Sequence, residues 1–432
     1  MYTSDCLQVN EKGELTIGGV STVSLAKEFG TPLYVMDENK IRETCRVYCD
    51  AVQKYYDGNG LVLYASKAFC CKAMCRIIAE EGMGLDVVSS GELYTAISAG
   101  FPVERIYFHG NNKSFEELNM AVEHQIGCVI VDNEGELDML ADICEAKNTK
   151  MRVMFRVKPG VEAHTHDFIR TGQLDSKFGV ALEGGEAFEL IRKALTLPGV
   201  EVVGVHCHIG SQIFECSPFE LAAERMMQLI AKVKNELGFT LRQLNLGGGF
   251  GIRYEETDDP VPYDTYIQMV SKVVKRIAEQ ENIPLPYILM EPGRSIVGPA
   301  GVTLYTVGAI KEIPNIRNYL SVDGGLSDNP RYILYGARYE AIIANKACLP
   351  KTKVYTIAGK CCESGDLICE DVALQEAERG DILCVEATGA YNYSMSSNYN
   401  RICKPAVVML RDGERKVVVK RESFEDLIRN DA

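Results

Sequence analysis

Lys67 follows directly on an apolar run, residues 61–66, and is not part of a charged stretch. If that run forms a buried strand, the lysine lies at the end of the strand in partly buried surroundings. Desolvation there lowers the pKa of an amine and prepares it to attack a carbonyl. Lysines are mostly surface residues, so this position alone favours a chemical role only weakly.

Two histidines flank a cysteine at the end of another apolar run, in the order His206, Cys207, His208. Strand alternation would place both imidazoles on one face and the thiol on the other. Three interpretations stay open: a two-histidine metal site, a pair of hydrogen-bonded core histidines, and one imidazole that lies flat against a planar cofactor. No carboxylate stands nearby at a suitable spacing, which argues against the metal site.

Two further apolar runs end in residues suited to binding an anion or a charged ring. Residues 247–249 are three consecutive glycines, whose backbone N–H groups can converge on an anion because no side chain intervenes. The last run ends at Glu291, and Arg294 follows it after a proline and a glycine. These two side chains could pair with each other, or Glu291 could face the ring nitrogen of a pyridine cofactor and keep it protonated.

The elements that would position these residues are short β-branched runs that alternate with amphipathic stretches. Such alternation is typical of βα units, and eight strands predict a TIM-like (β/α)8 barrel, an α/β fold. Active sites of such barrels lie at the C-terminal ends of the strands, where all the residues above fall. The predicted strands are residues 61–66, 85–88, 105–108, 128–131, 152–157, 202–208, 243–246 and 287–291.

Helix starts after several of these strands support the barrel. A capping box pairs a short polar side chain with an acid three residues later, so that each satisfies a backbone N–H of the first turn. The sequence offers four such pairs: Ser89 with Glu92, Ser114 with Glu117, Asn133 with Glu136, and Ser217 with Glu220.

After residue 295 the pattern changes to short apolar runs separated by glycine and polar turns, which predicts a C-terminal β-rich domain of sandwich or barrel type. The clearest runs are residues 302–310, 353–357, 381–386 and 407–410. An early apolar run, residues 31–36, could join the same sheet. We therefore expect an N-terminal segment at 1–36 that packs with the β-domain, a barrel at 37–295 and the β-domain at 296–432.

Composition excludes several classes of function. A net charge of −14 without a basic block argues against nucleic acid as a partner. The chain shows neither a secretory signal nor an apolar run long enough to cross a bilayer, so the expected location is cytoplasmic, with no membrane partner. The sixteen cysteines are scattered and lack zinc-ligand spacing, so we expect reduced thiols and no metal.

Taken together and in this order, six segments resemble the diaminopimelate decarboxylases, which are fold-type III pyridoxal-phosphate enzymes. The resemblance covers nearly the whole chain. It implies the architecture of alanine racemases and ornithine decarboxylases, with pyridoxal 5'-phosphate as cofactor. The segments are YASKA at 64–68, HCHIGSQ at 206–212, GGGFG at 247–251, EPGR at 291–294, CESGD at 362–366 and SMSSNYN at 394–400.

The resemblance also implies roles for individual residues. Lys67 would hold the cofactor covalently, His208 would stack on its ring, and Glu291 would pair with the ring nitrogen with support from Asp86. Cys362 would donate the proton that replaces the lost carboxylate. The full set implied for the cofactor is Lys67, Asp86, His208, Gly247, Gly248, Gly249, Glu291, Pro292, Gly293, Arg294 and Tyr391.

Substrate choice would come from the distal end of the amino acid. A second carboxylate calls for planar cationic groups, and the resemblance implies Arg294, Arg331, Tyr335 and Tyr391 there, with Glu363 at the distal ammonium. Cys362 and Glu363 would come from the neighbouring subunit of a homodimer.

The resulting expectation is decarboxylation of meso-2,6-diaminopimelate to L-lysine, the last step of lysine biosynthesis. Alternatives on the same scaffold are decarboxylation of D-lysine, D-ornithine or carboxynorspermidine. An amino-acid racemase and a non-catalytic pyridoxal-phosphate carrier belong to other classes. Racemases carry an arginine at the ring nitrogen, and the carriers lack a domain that could bear Cys362.

A few positions depart from the family pattern, namely Phe69, Ser90 and Cys361, and none of them removes a named catalytic group. The polar stretch at 160–179, with His164, His166, Arg170 and Asp175, is too irregular for a barrel element. It predicts either a lid over the site or a plain surface loop.

Overall fold

The computed structural model describes residues 2–161 and 176–432. The chain forms two compact units, one of Met1–Glu43, Ile252–Asp259 and Arg294–Ala432, the other of Thr44–Gly251 and Pro260–Gly293. The four polar residues of the predicted lid, His164, His166, Arg170 and Asp175, lie outside the described residues. The domain boundaries expected from the sequence, 1–36, 37–295 and 296–432, stay predictions.

The amino-terminal segment forms a small antiparallel sheet, one helix and one fully buried strand. Its elements are β1 (Leu7–Val9), β2 (Leu15–Ile17), β3 (Val20–Ser21), α1 (Thr22–Phe29) and β4 (Leu33–Asp37). Ser21 caps α1 by accepting a hydrogen bond from the Ser24 backbone N–H, and Gly30 ends it at a φ of 71°. All five residues of β4 are buried, because strands pair with it along both edges.

The unit formed by residues 44–251 and 260–293 is a closed parallel barrel, which confirms the predicted fold class. Each strand pairs in parallel with its neighbours, and pairing of the fourth barrel strand with the fifth closes the ring. Its strands are β5 (Gly60–Ala65), β6 (Gly84–Val87), β7 (Ile106–Phe108), β8 (Cys128–Val131), β9 (Met151–Lys158), β11 (Val200–His206), β12 (Gln243–Asn245) and β13 (Tyr287–Met290), with the short β10 (Val180–Ala181) added beside β9.

The predicted strand bounds agree with the observed ones to within two residues. The difference matters at β11, which ends at His206 although the sequence predicted a strand to residue 208. His208 therefore lies in the loop, and the expectation that both histidines share one strand face is wrong. Inside the barrel, large side chains from several strands fill the floor: Leu63, Tyr107, Cys128, Ile130, Met154, Val203 and Leu289.

The helices that follow the strands are α2 (Glu38–Tyr56), α3 (Lys72–Glu80), α4 (Ser90–Ala99), α5 (Phe115–Glu123), α6 (Glu134–Ala146), α7 (Glu186–Ala194), α8 (Ser217–Leu237) and α9 (Tyr263–Gln280). In residues 2–161 and 176–432, no helix combines the length and apolarity needed to cross a membrane.

The four predicted capping boxes have different outcomes. Ser114 and Glu117 form a complete box at α5. Ser89 and Asn133 cap α4 and α6, but the acid partners of these two caps bind other groups, described below. The fourth prediction is wrong, because Ser217 is itself the first residue of α8; the proline that follows it favours a helical first turn.

The β-rich unit contains a second large sheet, and the four runs predicted after residue 295 all form strands in it. The sheet has the order β18-β17-β15-β14-β4-β20-β21, and β19 pairs with β14 and β16. The elements are α10 (Arg294–Val297), β14 (Gly301–Ile313), β15 (Arg317–Val322), α11 (Arg331–Tyr335), β16 (Ala341–Ile343), β17 (Lys353–Ala358), β18 (Leu367–Leu374), β19 (Ile382–Val385), β20 (Ala406–Arg411), β21 (Glu414–Val419) and α12 (Phe424–Ile428).

Candidate active site

Lys67 lies at the C-terminal end of β5, in a single 3-10 turn formed by Ser66–Ala68. Its side chain is exposed, whereas the sequence suggested partial burial. Glu92 of α4 fixes the turn by accepting hydrogen bonds from the Ser66 hydroxyl at 2.7 Å and the Val88 backbone N–H at 2.8 Å. Gly293 lies against the same turn, where a Cβ would come within 2.9 Å of the Ala65 side chain. A glycine at 293 therefore lets the loop after β13 approach the lysine.

The carboxylate of Glu291 is the centre of a buried cluster at the same end of the barrel. Asn245 donates a hydrogen bond to Oε1 at 2.6 Å. The Nε2 atom of His109 lies 2.9 Å from Oε1, and the Nε2 atom of His206 lies 3.3 Å from Oε2. Burial alone would raise the pKa of Glu291, but the two imidazoles outweigh it and hold that pKa well below its usual range. The cluster thus keeps a buried carboxylate ionised.

Asp86, at the end of β6, adds a second buried acid beside this cluster. Its Oδ1 atom lies 3.7 Å from His109 Nε2 and makes no hydrogen bond to any described residue. Burial is the main reason that the pKa of Asp86 rises to about 6; Glu291 raises it further, while His109 and Lys67 lower it. A buried carboxylate oxygen without a donor is costly in an isolated chain, which suggests that a cationic or hydrogen-bonding group completes this site.

The two histidines singled out from the sequence have separate environments. His206 is completely buried against Glu291, and burial lowers its pKa to about 4, so its imidazole is neutral. His208 is half-buried beyond the strand, and its Nδ1 accepts a hydrogen bond from the Gly248 backbone N–H at 3.3 Å. Burial, and next the charge of Lys67, lower the pKa of His208 as well. Its half-buried position in the loop after the strand suits a ring that stacks on a cofactor.

The assumption that no carboxylate lies near the histidines was wrong, because Glu291 comes from a distant strand. His109, His206 and Glu291 present ligand atoms within 4.8 Å of one another, a set that could hold a metal ion. Direct contacts between the two imidazoles and the carboxylate already account for this arrangement.

The glycines at 247–249 form a loop that has no room for side chains. A Cβ on Gly247 would lie 2.6 Å from the Cys207 carbonyl oxygen, and one on Gly248 would lie 2.0 Å from that of Glu291. Gly249 has a φ of 116°, which L side chains rarely adopt, and a Cβ there would meet the Gly210 carbonyl at 2.4 Å. The loop therefore brings bare backbone to the end of the barrel, as an anion site requires.

In the β-rich unit, two buried arginines surround the hydroxyl of Tyr254. Arg294 donates to this hydroxyl at 2.6 Å and Arg331 at 3.1 Å, and Arg331 also binds the hydroxyl of Tyr339. Burial raises the pKa of Tyr254, but the two guanidiniums outweigh burial and lower it. The ring of Tyr391 lies 4.8 Å from Arg294 Cζ and 5.8 Å from Arg331 Cζ. These residues are called the arginine cluster below.

Two members of the cluster have further distinguishing features. Tyr391 has a φ of 71°, an uncommon backbone conformation that concentrates at functional sites. Arg331 makes no ion pair within 4.0 Å with a carboxylate in the described part of the chain. Tyr335 ends the same short helix, α11, and is half-buried.

Cys362 and Glu363 lie on an exposed turn of the β-rich unit. The buried carboxylate of Asp366 holds the turn by accepting hydrogen bonds from the Cys361 N–H at 2.7 Å and the Leu326 N–H at 2.6 Å. The backbone N–H of Cys362 donates to the Asn400 side chain at 2.6 Å. The thiol is thus presented outward on a fixed backbone.

Sequence reasoning missed four residues of these sites: His109, Asn245, Tyr254 and Tyr339. His109 directly follows β7 and Asn245 ends β12, so the rule that barrel sites lie at strand ends could have found both. Tyr254 and Tyr339 carry no comparable signal, because they meet Arg331 only through the tertiary fold.

The barrel residues fit a pyridoxal cofactor: an ionised buried acid, a second acid without a donor, a glycine loop and an accessible lysine lie at one end of the barrel. The family model described as "Pyridoxal-dependent decarboxylase, pyridoxal binding domain" matches residues 38–298. The chain is therefore a pyridoxal-phosphate-dependent decarboxylase, a carboxy-lyase.

Relatives define the family more closely. The chain is 53% identical to diaminopimelate decarboxylase of Bacillus methanolicus, with 98% of each chain covered, and 50% identical to that of Bacillus subtilis (strain 168), with 100% and 98% covered. The crystal structure of diaminopimelate decarboxylase from M. jannaschii in complex with L-lysine superposes with a TM-score of 0.92, at 35% identity over 100% and 99% of the two chains. The chain belongs to the diaminopimelate decarboxylase family.

Proposed function

We propose that this chain decarboxylates meso-2,6-diaminopimelate to L-lysine and carbon dioxide, the last step of lysine biosynthesis. The observation that carries the choice of substrate is the arginine cluster. Arg331 is buried, yet its hydrogen-bond acceptors are tyrosine hydroxyls, Tyr254 and Tyr339, which carry no full negative charge. A substrate with a second carboxylate would supply the missing anion, and a guanidinium binds a carboxylate in a planar, bidentate manner.

The barrel residues would hold the cofactor and control its charge. Lys67 would bind it covalently through Nζ and His208 would lie against its ring. The loop of Gly247, Gly248 and Gly249 would bring backbone close to its phosphate, with the N–H groups of Gly247 and Gly248 already donating to Asn245 and His208. Glu291, which stays ionised, would hold a proton on the ring nitrogen, and Asp86 would support that charge. When bound, the protonated ring acts as an electron sink for the bond to the departing carboxylate.

Five further residues would complete the phosphate and distal sites. Pro292 and Gly293 form the turn that leads to Arg294, which together with Tyr391 holds the phosphate and the distal end of the substrate. Tyr335 adds a hydroxyl at the distal end. The short distance between the Tyr391 ring and both guanidiniums supports this grouping.

The proton that replaces the carboxylate would come from Cys362, and Glu363 would bind the distal ammonium. We place both in the active site of the neighbouring subunit, so that the working enzyme is a cytoplasmic homodimer. The outward presentation of the thiol on a fixed turn supports this arrangement, since the side chain is exposed in the single chain.

Release of carbon dioxide with identification of the product tests the proposal. The purified protein is supplied with pyridoxal phosphate and separately with meso-diaminopimelate, L,L-diaminopimelate, D-lysine, D-ornithine, L-ornithine and L-arginine. We expect strong preference for the meso compound and L-lysine as the product. Preference for a substrate with a single carboxylate would overturn the role of the arginine cluster, and inactivity on all six would overturn the proposed reaction.

A further inference from the structure

Lys113, in the loop between β7 and α5, carries a buried charge that the proposed reaction does not use. Its side chain is only 2% exposed. Its Nζ atom lies 2.8 Å from each of three acceptors: the Gly110 carbonyl, the Ile130 carbonyl and Oε1 of Glu136. Three acceptors require three N–H donors, and only the ammonium form has them. Lys113 is therefore a cation whose donors are all used inside the barrel unit.

The three bonds tie one loop to two rigid elements. Gly110 belongs to the loop itself, Ile130 lies in β8, and Glu136 lies in the first turn of α6. Asn133 caps α6 in the predicted way, but the carboxylate of Glu136 turns to Lys113 and does not complete a capping box. The ammonium of Lys113 thus restrains the chain segment between residues 109 and 113.

His109 is the first residue of this segment. Its backbone N–H donates to the Val87 carbonyl at 2.8 Å, and its Nε2 reaches Glu291 at 2.9 Å. Gly110, the next residue, has a φ of 121°, so this turn has a backbone conformation that most residues disfavour. Because glycine is conformationally permissive, contacts outside the turn are needed to keep the imidazole in one place.

We propose that Lys113 is a positioning residue, which holds the loop so that His109 stays in contact with Glu291. The inference rests on the proposed function, in which Glu291 keeps the cofactor ring protonated. The titratable and charged groups facing Lys113 are Glu136, Asp132 and Arg156, and those facing His109 are Asp86, Glu291 and the neutral His206. A purely structural role would stabilise the fold without affecting the imidazole.

The first test needs neither cofactor nor activity. The chain has six histidines, so ¹⁵N-histidine labelling gives few signals, and His109→Gln identifies the signal of His109. Lys113→Met together with Glu136→Gln removes the ion pair without leaving a buried carboxylate unpaired. In the cofactor-free protein we expect the His109 signal to shift toward that of a solvent-exposed imidazole, while the signal of exposed His124 stays unchanged.

The second test is a double-mutant cycle in the loaded enzyme. The paired substitution at Lys113 and Glu136 should lower kcat by about 10- to 100-fold, the size of effect expected when a group near the chemistry is misplaced. The KM for meso-diaminopimelate should change much less. In the His109→Gln background the same substitutions should have little further effect, because Lys113 acts through His109.

Lys346→Met is a matched control, since Lys346 also makes an ion pair, 2.9 Å from Asp381, in the β-rich unit. It should alter neither the His109 signal nor kcat. An unchanged His109 signal in the Lys113 variant would overturn the inference whatever the substrate proves to be. So would a loss of kcat that adds fully to that of His109→Gln. Absence of decarboxylation by the unaltered enzyme would instead refute the proposed function, and the NMR result would still decide the role of Lys113.

Discussion

The barrel cluster and the arginine cluster both bury charge, but they balance it differently. In the barrel, the anion Glu291 is surrounded by Asn245, His109 and His206 at 2.6 to 3.3 Å. In the β-rich unit, the cation Arg331 is surrounded by the hydroxyls of Tyr254 and Tyr339. The charge of Glu291 is therefore compensated by the protein itself, whereas the described hydrogen-bond partners of Arg331 are neutral groups.

Glu291 thus keeps its charge before any ligand binds, whereas Arg331 would gain an anionic partner only from a ligand. Removing a charge from water costs several kcal/mol unless an opposite charge or strong hydrogen bonds offset it. Around Glu291 the chain provides that compensation. Around Arg331 it provides only part, and an incoming carboxylate would provide the rest. We therefore expect barrel substitutions to act on kcat and substitutions in the arginine cluster to act on KM.

The largest effect should follow from Lys67→Ala, which removes the covalent anchor at the barrel end. We expect kcat to fall by about a thousandfold or more, because the nucleophilic amine is lost. Borohydride reduction followed by peptide mass analysis should find the cofactor on Lys67 in the unaltered enzyme and on no lysine in the Lys67→Ala variant. Lys72→Ala, at the exposed start of α3, is the control and should behave as the unaltered enzyme. Cofactor attachment at another lysine would contradict the assignment.

Glu291→Gln tests the role of the Glu291 charge directly. The amide keeps the shape and some hydrogen bonds but cannot hold a proton on the ring nitrogen. We expect kcat to fall by about 100- to 1000-fold, as when a preorganised electrostatic group is removed, and KM to change little. A rise in KM with an unaffected kcat would remove the distinction between the two clusters.

Cys362→Ala probes the exposed turn, which belongs to neither cluster. Loss of the proton donor should lower kcat by about 100-fold, and the fate of the substrate carbon should be followed by product analysis in deuterated water. Cys348→Ala, another exposed cysteine, is the control. Normal turnover with normal L-lysine in the Cys362 variant would exclude it as the donor.

Arg331→Ala should act on binding. Loss of a charge-assisted hydrogen bond corresponds to about 10- to 100-fold in KM for meso-diaminopimelate. The same substitution should not change the rate measured with L-ornithine, which has no second carboxylate. Arg338→Ala, an exposed arginine 3.8 Å from Glu255, is the matched control. An equal KM in Arg331→Ala and the unaltered enzyme would show that the cluster does not recognise the substrate.

How far sequence reasoning reached differs between the two regions. Strand residues 128–131 and the cap by Ser114 follow from local patterns, and the structure has both. Lys67 and Glu291 were proposed as site residues because each lies at the end of a predicted barrel strand. The partners of Glu291 and of Arg331 were not predicted, because they come from segments far apart in sequence. Local sequence periodicity does not indicate which side chains meet in the fold. The same holds for Glu136, which fits a local capping pattern but binds Lys113.

The smallest effects should appear in stability, where two buried groups, His206 and Asp328, should contribute pH dependences of opposite sign. Burial lowers the pKa of His206 to about 4 in the folded barrel unit, so its contribution is lost as pH falls from its ordinary value near 6.5 toward 4. Burial raises the pKa of Asp328, which is hydrogen-bonded to Tyr305 in the β-rich unit, to about 7. Its contribution to stability is therefore lost as pH rises from about 4 toward 7.

Thermal unfolding of His206→Gln should therefore depend less on pH below about 6.5 than that of the unaltered protein. Thermal unfolding of Asp328→Asn should depend less on pH between about 4 and 7. Asp86, whose pKa rises to about 6, shares the sign of Asp328 although it lies in the barrel, so only the difference between each variant and the unaltered protein isolates one group. A common pH dependence in both variants would show that these buried groups do not control the stability of their units.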